Sequence, residues 1–267
     1  MIRVNGHEIT VERFPDGTPR IRFAIGVLSE KYDNNISWIY ENDAEIIALY
    51  FIAEQIKDYG YPLGILYMPY IPNARMDRIK PEQEECFTLK HFCKLLNSIG
   101  FKKVETIDAH SDVSLALIDR VINRNPVEYI DEVIDRIDDG DLILYFPDEG
   151  ASKRYSKLFD LPYIYGDKDR DWKTGQIKGL ILKDNGQDIT GKSILMIDDI
   201  CSKGGTLYYS AKKLKEEGAG NIYAFVTHCE NTIHKGELLT CGYVEKVYTA
   251  PTILTQEHSL IEVINFE

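Results

Sequence analysis

A chain of 267 residues with 44% hydrophobic and 28% charged residues can bury a substantial core, which excludes a disordered polypeptide and makes two modest domains the default expectation. Its 43 acidic against 31 basic residues give a formal net charge of −12, which excludes a broad basic surface for nucleic acid, so anionic ligands need local sites. No apolar run approaches the roughly 20 residues of a membrane span, the opening MIRVNGHEITVERF lacks a signal-peptide stretch, and five cysteines without CxxC spacing suggest neither a disulfide framework nor a zinc site; a cytoplasmic protein with reduced thiols is expected.

From Arg3 to Val27 short alternating runs flank the turn signal Pro15-Asp16-Gly17, which predicts a hairpin or two successive strands. Apolar residues at helical spacing predict a helix over Asp43–Tyr59. A strand over Gly64–Met68, an amphipathic helix over Thr88–Ile99 stopped by Gly100, and a strand over Lys103–Ile107 come next, the grammar of a parallel sheet. A helix is expected over Val113–Ile122, then a polar break at Asn123–Pro126 where the domain boundary is placed, giving domains 1–124 and 125–267.

The pattern then restarts. Helices are expected near Tyr129–Ile137, Ala151–Leu158 and Thr206–Glu217, with strands over Asp141–Phe146, Pro162–Tyr165, Ile177–Leu182, Ser193–Ile197 and Ile222–Thr227. Such alternation implies α/β domains with mostly parallel sheets flanked by helices, and ligands outside the carboxyl ends of the strands.

The most informative segment is Ser193–Leu207, SILMIDDICSKGGTL. A buried strand delivers Asp198 and Asp199 at its carboxyl end, and a loop with Gly204 and Gly205 opens a helix near Thr206. Loop amides and the positive helix start suit a phosphate, and the paired aspartates suit ribose hydroxyls or a hydrated divalent metal. In LYMPYIPNARMDR, Arg75 and Arg78 leave a strand either as a solvated RMDR turn or as forked donors suited to phosphates, with Asp77 between them to fix their geometry. In ETIDAHSD, His110 stands at a strand terminus beside carboxylates, a candidate Mg or phosphate ligand.

These segments together resemble the ribose-phosphate pyrophosphokinase family, of type I phosphoribosyltransferase fold. Asp198–Thr206 is similar to its two acids, spacer and T-G-G-T; Pro69, Tyr70, Ala74, Arg75, Asp77 and Arg78 match P-Y-x-x-Y-A-R-Q-D-R with Met76 for glutamine; Asp108 and His110 match T-x-D-L-H; FPDEGA matches S-P-D-x-G-G; GDKDR resembles D-K-R-R; RFPDGT resembles R-F-x-D-G-E with Thr18 for glutamate. Val226-Thr227-His228 is similar to A-T-H, with His228 read as structural support. The likeness runs in order from about Arg13 to about residue 255.

The resemblance implies two phosphoribosyltransferase-like domains, ATP bound over Phe14, Asp16, Arg75, Asp77 and Arg78, and Mg organised by His110 and Asp148. It implies Lys168 and Arg170 as the cations that stabilise the transferring diphosphate, an acceptor held by Asp198, Asp199, Ser202, Lys203, Gly204, Gly205 and Thr206, and a homo-oligomer. The expected reaction moves the β,γ-diphosphate of ATP to the anomeric hydroxyl of ribose 5-phosphate. Ser202-Lys203 stands where the family has Asp-Thr; the added cation strengthens binding of ribose 5-phosphate or equally fits a larger acceptor such as ADP-ribose, as in phage-type pyrophosphokinases that rebuild NAD. A phosphoribosyltransferase in nucleotide or NAD salvage, and a catalytically idle regulatory relative, are the alternatives.

Overall fold

The computed structural model describes residues 1–79, 82, 84–138, 140–170 and 177–266, with the side chains of 168–170 and 177–180 outside the description. The chain divides into two compact units, Met1–Asn125 and Pro126–Glu267.

The first unit contains β1 (Ile2–Val4), β2 (His7–Glu8), β3 (Thr10–Arg13), β4 (Pro19–Arg22), β5 (Asn34–Trp38), α1 (Ala44–Asp58), β6 (Leu63–Tyr67), α2 (Thr88–Ile99), β7 (Lys103–Ile107), α3 (Asp112–Leu117) and β8 (Val121–Arg124). Its main sheet has the order β2-β1-β5-β6-β7-β8, parallel from β5 to β8 and antiparallel at β1 and β2. The expected hairpin is β3 and β4, a separate two-stranded ribbon. Helix α2 stops at Gly100, whose φ of 79° closes the last turn at little cost only for a residue without Cβ.

One expectation is corrected. The helix over Val113–Ile122 is only α3, and the chain turns at Arg120 (φ 54°) into β8, whose residues pair with Val104–Ile107 of β7. Val121 and Ile122 are β-branched and gain a parallel partner at the sheet edge, which a helical spacing over ten residues does not reveal.

The second unit contains α4 (Val127–Ile137), β9 (Ile143–Phe146), α5 (Glu149–Tyr155), β10 (Tyr163–Arg170), β11 (Ile177–Lys183), β12 (Ile194–Cys201), α6 (Gly205–Glu216), β13 (Ile222–Cys229), β14 (Lys246–Thr249) and β15 (Ile261–Val263). The sheet order is β11-β10-β9-β12-β13-β14-β15, with only the β10/β11 pairing antiparallel. The GDKDR segment is thus strand up to Arg170.

Period-2 alternation splits the core across the two faces of this sheet. Ile143, Tyr145, Ile194 and Met196 pack with Leu207, Ala211 and Leu214 of α6. Leu144, Phe146, Leu195 and Ile197 pack with Ile130 and Val133 of α4 and Tyr155 of α5. Strand order reverses between β9 and β12: the chain moves outward one way from β9 and returns to β12 on its other side. That is the switch point where the carboxyl ends of parallel strands open a crevice.

Candidate functional site

In the first unit, Phe14 and Asp16 lie on the exposed β3/β4 hairpin. Phe14 is 47% exposed, with the Arg20 guanidinium 5.7 Å from its ring centroid. The Asp16 carboxylate accepts from the Thr18 hydroxyl (2.7 Å) and amide (3.0 Å), and these bonds hold its carboxyl below the usual range. Its observed task is therefore to lock the turn.

Arg75, Asp77 and Arg78 follow β6. Asp77 and Arg78 make a long ion pair of 3.9 Å, with 78% of the arginine side chain exposed. This segment starts from a fixed anchor, since the Pro69 carbonyl accepts from the Ile107 amide (3.1 Å) and the buried Thr106 hydroxyl (3.0 Å). His110 follows β7, just past buried Asp108, whose φ is 48°. The carboxyl ends of β6 and β7 are thus cross-linked beneath the arginine loop.

In the second unit the candidate residues gather at the switch point. Asp148 leaves β9 and caps α5 by accepting from the Ala151 amide at 3.0 Å. Asp198 and Asp199 are consecutive on β12, so they point to opposite faces. Asp199 accepts from the Arg154 guanidinium of α5 at 3.0 Å, and each carboxylate also accepts from the next backbone amide, Asp199 N and Ile200 N. Asp198 belongs to the face of Tyr145, whose buried hydroxyl donates to Ser210 of α6 at 2.8 Å. Burial pushes the Tyr145 hydroxyl well up, the Ser210 bond offsets part of this, and the charges of Asp198 and Asp148 add to it. Asp148 and Asp198 thus follow paired positions, Tyr145 and Met196, at the carboxyl ends of adjacent strands.

The loop after β12 is built around two glycines. Gly204 has φ 75°, and a Cβ there would stand 2.9 Å from Leu238. Gly236 backs the loop from behind: a Cβ on it would lie 1.8 Å from the Lys203 carbonyl oxygen. Helix α6 starts with the Tyr208 amide donating to the Gly204 carbonyl, which leaves the first-turn amides of Gly205, Thr206 and Leu207 directed out of the helix end, an anion-binding arrangement. Ser202 hydrogen-bonds Glu230 (2.9 Å) and Thr232 (3.1 Å) beyond β13. His228 is buried on β13 beside Ile200.

Asp148, Asp198, Asp199 and residues 202–206 are thus gathered at one edge of one sheet. Phe14, Asp16, Arg75, Asp77, Arg78 and His110 belong to the other unit. Lys168 and Arg170 are on β10, with side chains outside the described residues. Among the described residues no cluster of three or more metal-ligating side chains forms; Asp148 and Asp198 are hard oxygen donors of the kind that hold Mg together with water and substrate phosphates. Sequence reading missed Arg154, Tyr145, Glu230 and Thr232. An arginine six residues after Asp148 on a short helix was the available signal for the first; partners 28 to 65 residues apart leave none for the rest.

Comparison with known proteins bears on the same elements. The phosphoribosyl transferase domain matches residues 151–239, which contain Arg154, the Asp198–Thr206 segment and Glu230. The chain is 29% identical over 219 residues to the ribose-phosphate pyrophosphokinase of Saccharolobus solfataricus, covering 80% of this chain and 74% of that one. It is 32% identical over 199 residues to the chloroplastic ribose-phosphate pyrophosphokinase 2 of Oryza sativa subsp. japonica, covering 72% of this chain and 48% of the relative. In fold it is similar to phosphoribosylpyrophosphate synthetase from Mycobacterium smegmatis, with a TM-score of 0.77 at 20% identity over 96% of this chain and 85% of that one. No helix among the described residues is long and apolar enough to cross a membrane.

Proposed function

Because the chain belongs to the ribose-phosphate pyrophosphokinase family, an enzyme family of ATP-dependent diphosphotransferases, we propose that it transfers the β,γ-diphosphate of ATP to the anomeric hydroxyl of ribose 5-phosphate or of a ribose-5-phosphoryl nucleotide such as ADP-ribose, releasing AMP. The observation that carries this reading is the convergence at the β9/β12 switch point: two aspartates, a glycine loop and a helix N-terminus meet at one strand edge. Phosphate-binding amides and sugar-binding carboxylates are what a ribose 5-phosphate group requires.

In this reading the loop amides of 204–206 and Lys203 hold the acceptor 5-phosphate, and Asp198 and Asp199 hold its ribose. Arg154 donates to the Asp199 carboxylate at 3.0 Å and orients it. ATP is assigned to Phe14, Asp16, Arg75, Asp77 and Arg78. The turn-locking bonds of Asp16 favour an indirect part for it, shaping the hairpin that carries Phe14. The anomeric oxygen attacks the β-phosphorus in line, the bond to the α-phosphate oxygen breaks, and Lys168 and Arg170 offset the charge that develops. Magnesium, with His110 and Asp148 each proposed as a ligand, would neutralise phosphate charge when bound. The exposed hairpin suits a homo-oligomer, and five free thiols suit a cytoplasmic setting.

The test is AMP release from Mg-ATP with ribose 5-phosphate and, separately, with ADP-ribose, with product mass determined. AMP and a diphosphorylated ribose 5-phosphate support the ordinary synthetase, the same only with ADP-ribose supports the larger acceptor, and release with neither rejects the proposal in favour of a salvage transferase or an idle relative.

A further inference from the structure

Strands β12 and β13 run parallel with Cys201 opposite Cys229, so the residue that leaves each strand next meets the other. The Glu230 amide donates to the Cys201 carbonyl at 2.8 Å, which fixes the start of the Glu230 side chain beside Ser202. One oxygen of the carboxylate, Oε2, accepts from the Ser202 hydroxyl (2.9 Å) and from the Thr232 hydroxyl (3.0 Å), and the two hydroxyls are 3.1 Å apart. All three side chains are partly buried.

This arrangement has two chemical consequences. A hydroxyl has one proton, so Ser202 and Thr232, while donating to Glu230, present only lone pairs to anything in the loop. A phosphate then depends on backbone amides, Lys203 and the Thr206 hydroxyl, with a negative charge at the first residue of its cradle.

We propose that Glu230 is a specificity-determining residue of the acceptor site, which disfavours a terminal 5-phosphate monoester relative to a 5-phosphodiester. This rests on the reading of residues 202–206 as the acceptor-phosphate loop. A monoester carries up to two charges near neutral pH and a diester one, so a carboxylate held by the loop repels the monoester more. With one extra charge interacting at surface-like screening, the discrimination is about tenfold.

The experiment measures dissociation constants of ribose 5-phosphate and of its 5-phosphate methyl ester by calorimetry, for the intact wild-type chain, Glu230→Gln and Glu230→Ala, at about pH 7.5 where the monoester is dianionic. Gln keeps an oxygen acceptor for the hydroxyls and removes the charge. The expected result is that Glu230→Gln tightens ribose 5-phosphate about 100-fold and the singly charged methyl ester about tenfold, so that the preference between the two shifts about tenfold. Glu230→Ala should weaken both ligands relative to Gln, because it also releases the hydroxyls. Equal changes for both ligands in the Gln variant, or no change in either, would overturn the proposal. Binding of neither ligand by the wild type would instead remove the loop reading, and the proposal with it.

Discussion

Alanine at Gly236 would put its methyl group where the Lys203 carbonyl oxygen already stands, 1.8 Å from the new Cβ, with the Lys203 carbonyl carbon at 2.8 Å. Gly236 has φ −103°, a backbone that any residue adopts, so the cost is purely one of space. Reaching an ordinary contact of roughly 3.5 Å requires the two backbones to part by about 1.7 Å. Overpacking of that kind costs about 1–3 kcal/mol, or roughly 3–10 °C in melting temperature. The displaced atom belongs to the loop proposed to hold the acceptor phosphate, and a misplacement of about 1 Å at a positioned group costs on the order of 100-fold in turnover. Thermal melting and AMP release at saturating ATP measure the two effects. Gly242→Ala is the control: φ is 71° and nothing lies within 4 Å, so it should cost about 1 kcal/mol of backbone strain with acceptor use unchanged. If Gly236→Ala melts with the wild type and keeps its acceptor kinetics, the loop is not braced from behind and the reasoning fails.

Three further outcomes are expected. Arg154→Met leaves Asp199, 12% exposed at its side chain, without its guanidinium and should cost about 1–3 kcal/mol in urea unfolding; adding Asp199→Asn should recover part of the loss, and strict additivity would contradict a coupled pair. Tyr145→Phe leaves the buried Ser210 hydroxyl without its 2.8 Å partner and should lower stability by about 1–2 kcal/mol; an unchanged melting curve would count against that bond. Burial pushes the Cys93 thiol from 9.0 up to about 11, so the folded state holds its proton more tightly. The contribution is fully present below pH 9.0 and is lost as pH rises through about 11; Cys93→Ala should flatten the wild-type decline over that window, and identical profiles would argue against it.

The legible parts of this molecule were those written in contiguous residues. The run Ile194–Ile197 announces a strand covered on both faces, and Asp198–Thr206 announces a glycine loop and helix start at its end, because strand, loop and helix start are adjacent in the chain. Strand β5 was illegible because it begins with two asparagines. Asn34 is fully buried, and its amide is satisfied by Asn5, Ser29 and Pro62, a polar core position no hydropathy pattern can display. Strand β8 was hidden for a related reason, since what makes Val121–Arg124 a strand is its pairing with β7. The candidate site divides along the same line: the aspartates and glycines were readable, while Arg154 acts on Asp199 and Glu230 on Ser202 from 45 and 28 residues away. Asp16 shows the converse, a residue whose motif suggests a ligand and whose hydrogen bonds show a turn.

The alternation along β12 acts as a ruler for the two aspartates. Ile194 and Met196 belong to one core cluster and Leu195 and Ile197 to the other, so a slip of one residue would send four fully buried side chains to the wrong face. The same slip would hand Asp199 to Tyr145 and Asp198 to Arg154. Apolar packing below the crevice therefore decides which carboxylate receives the arginine. Substitutions that respect the α5 face can retune Asp199 alone, and those on the α6 face can retune Asp198 alone, so the adjacent acids are separately adjustable parts.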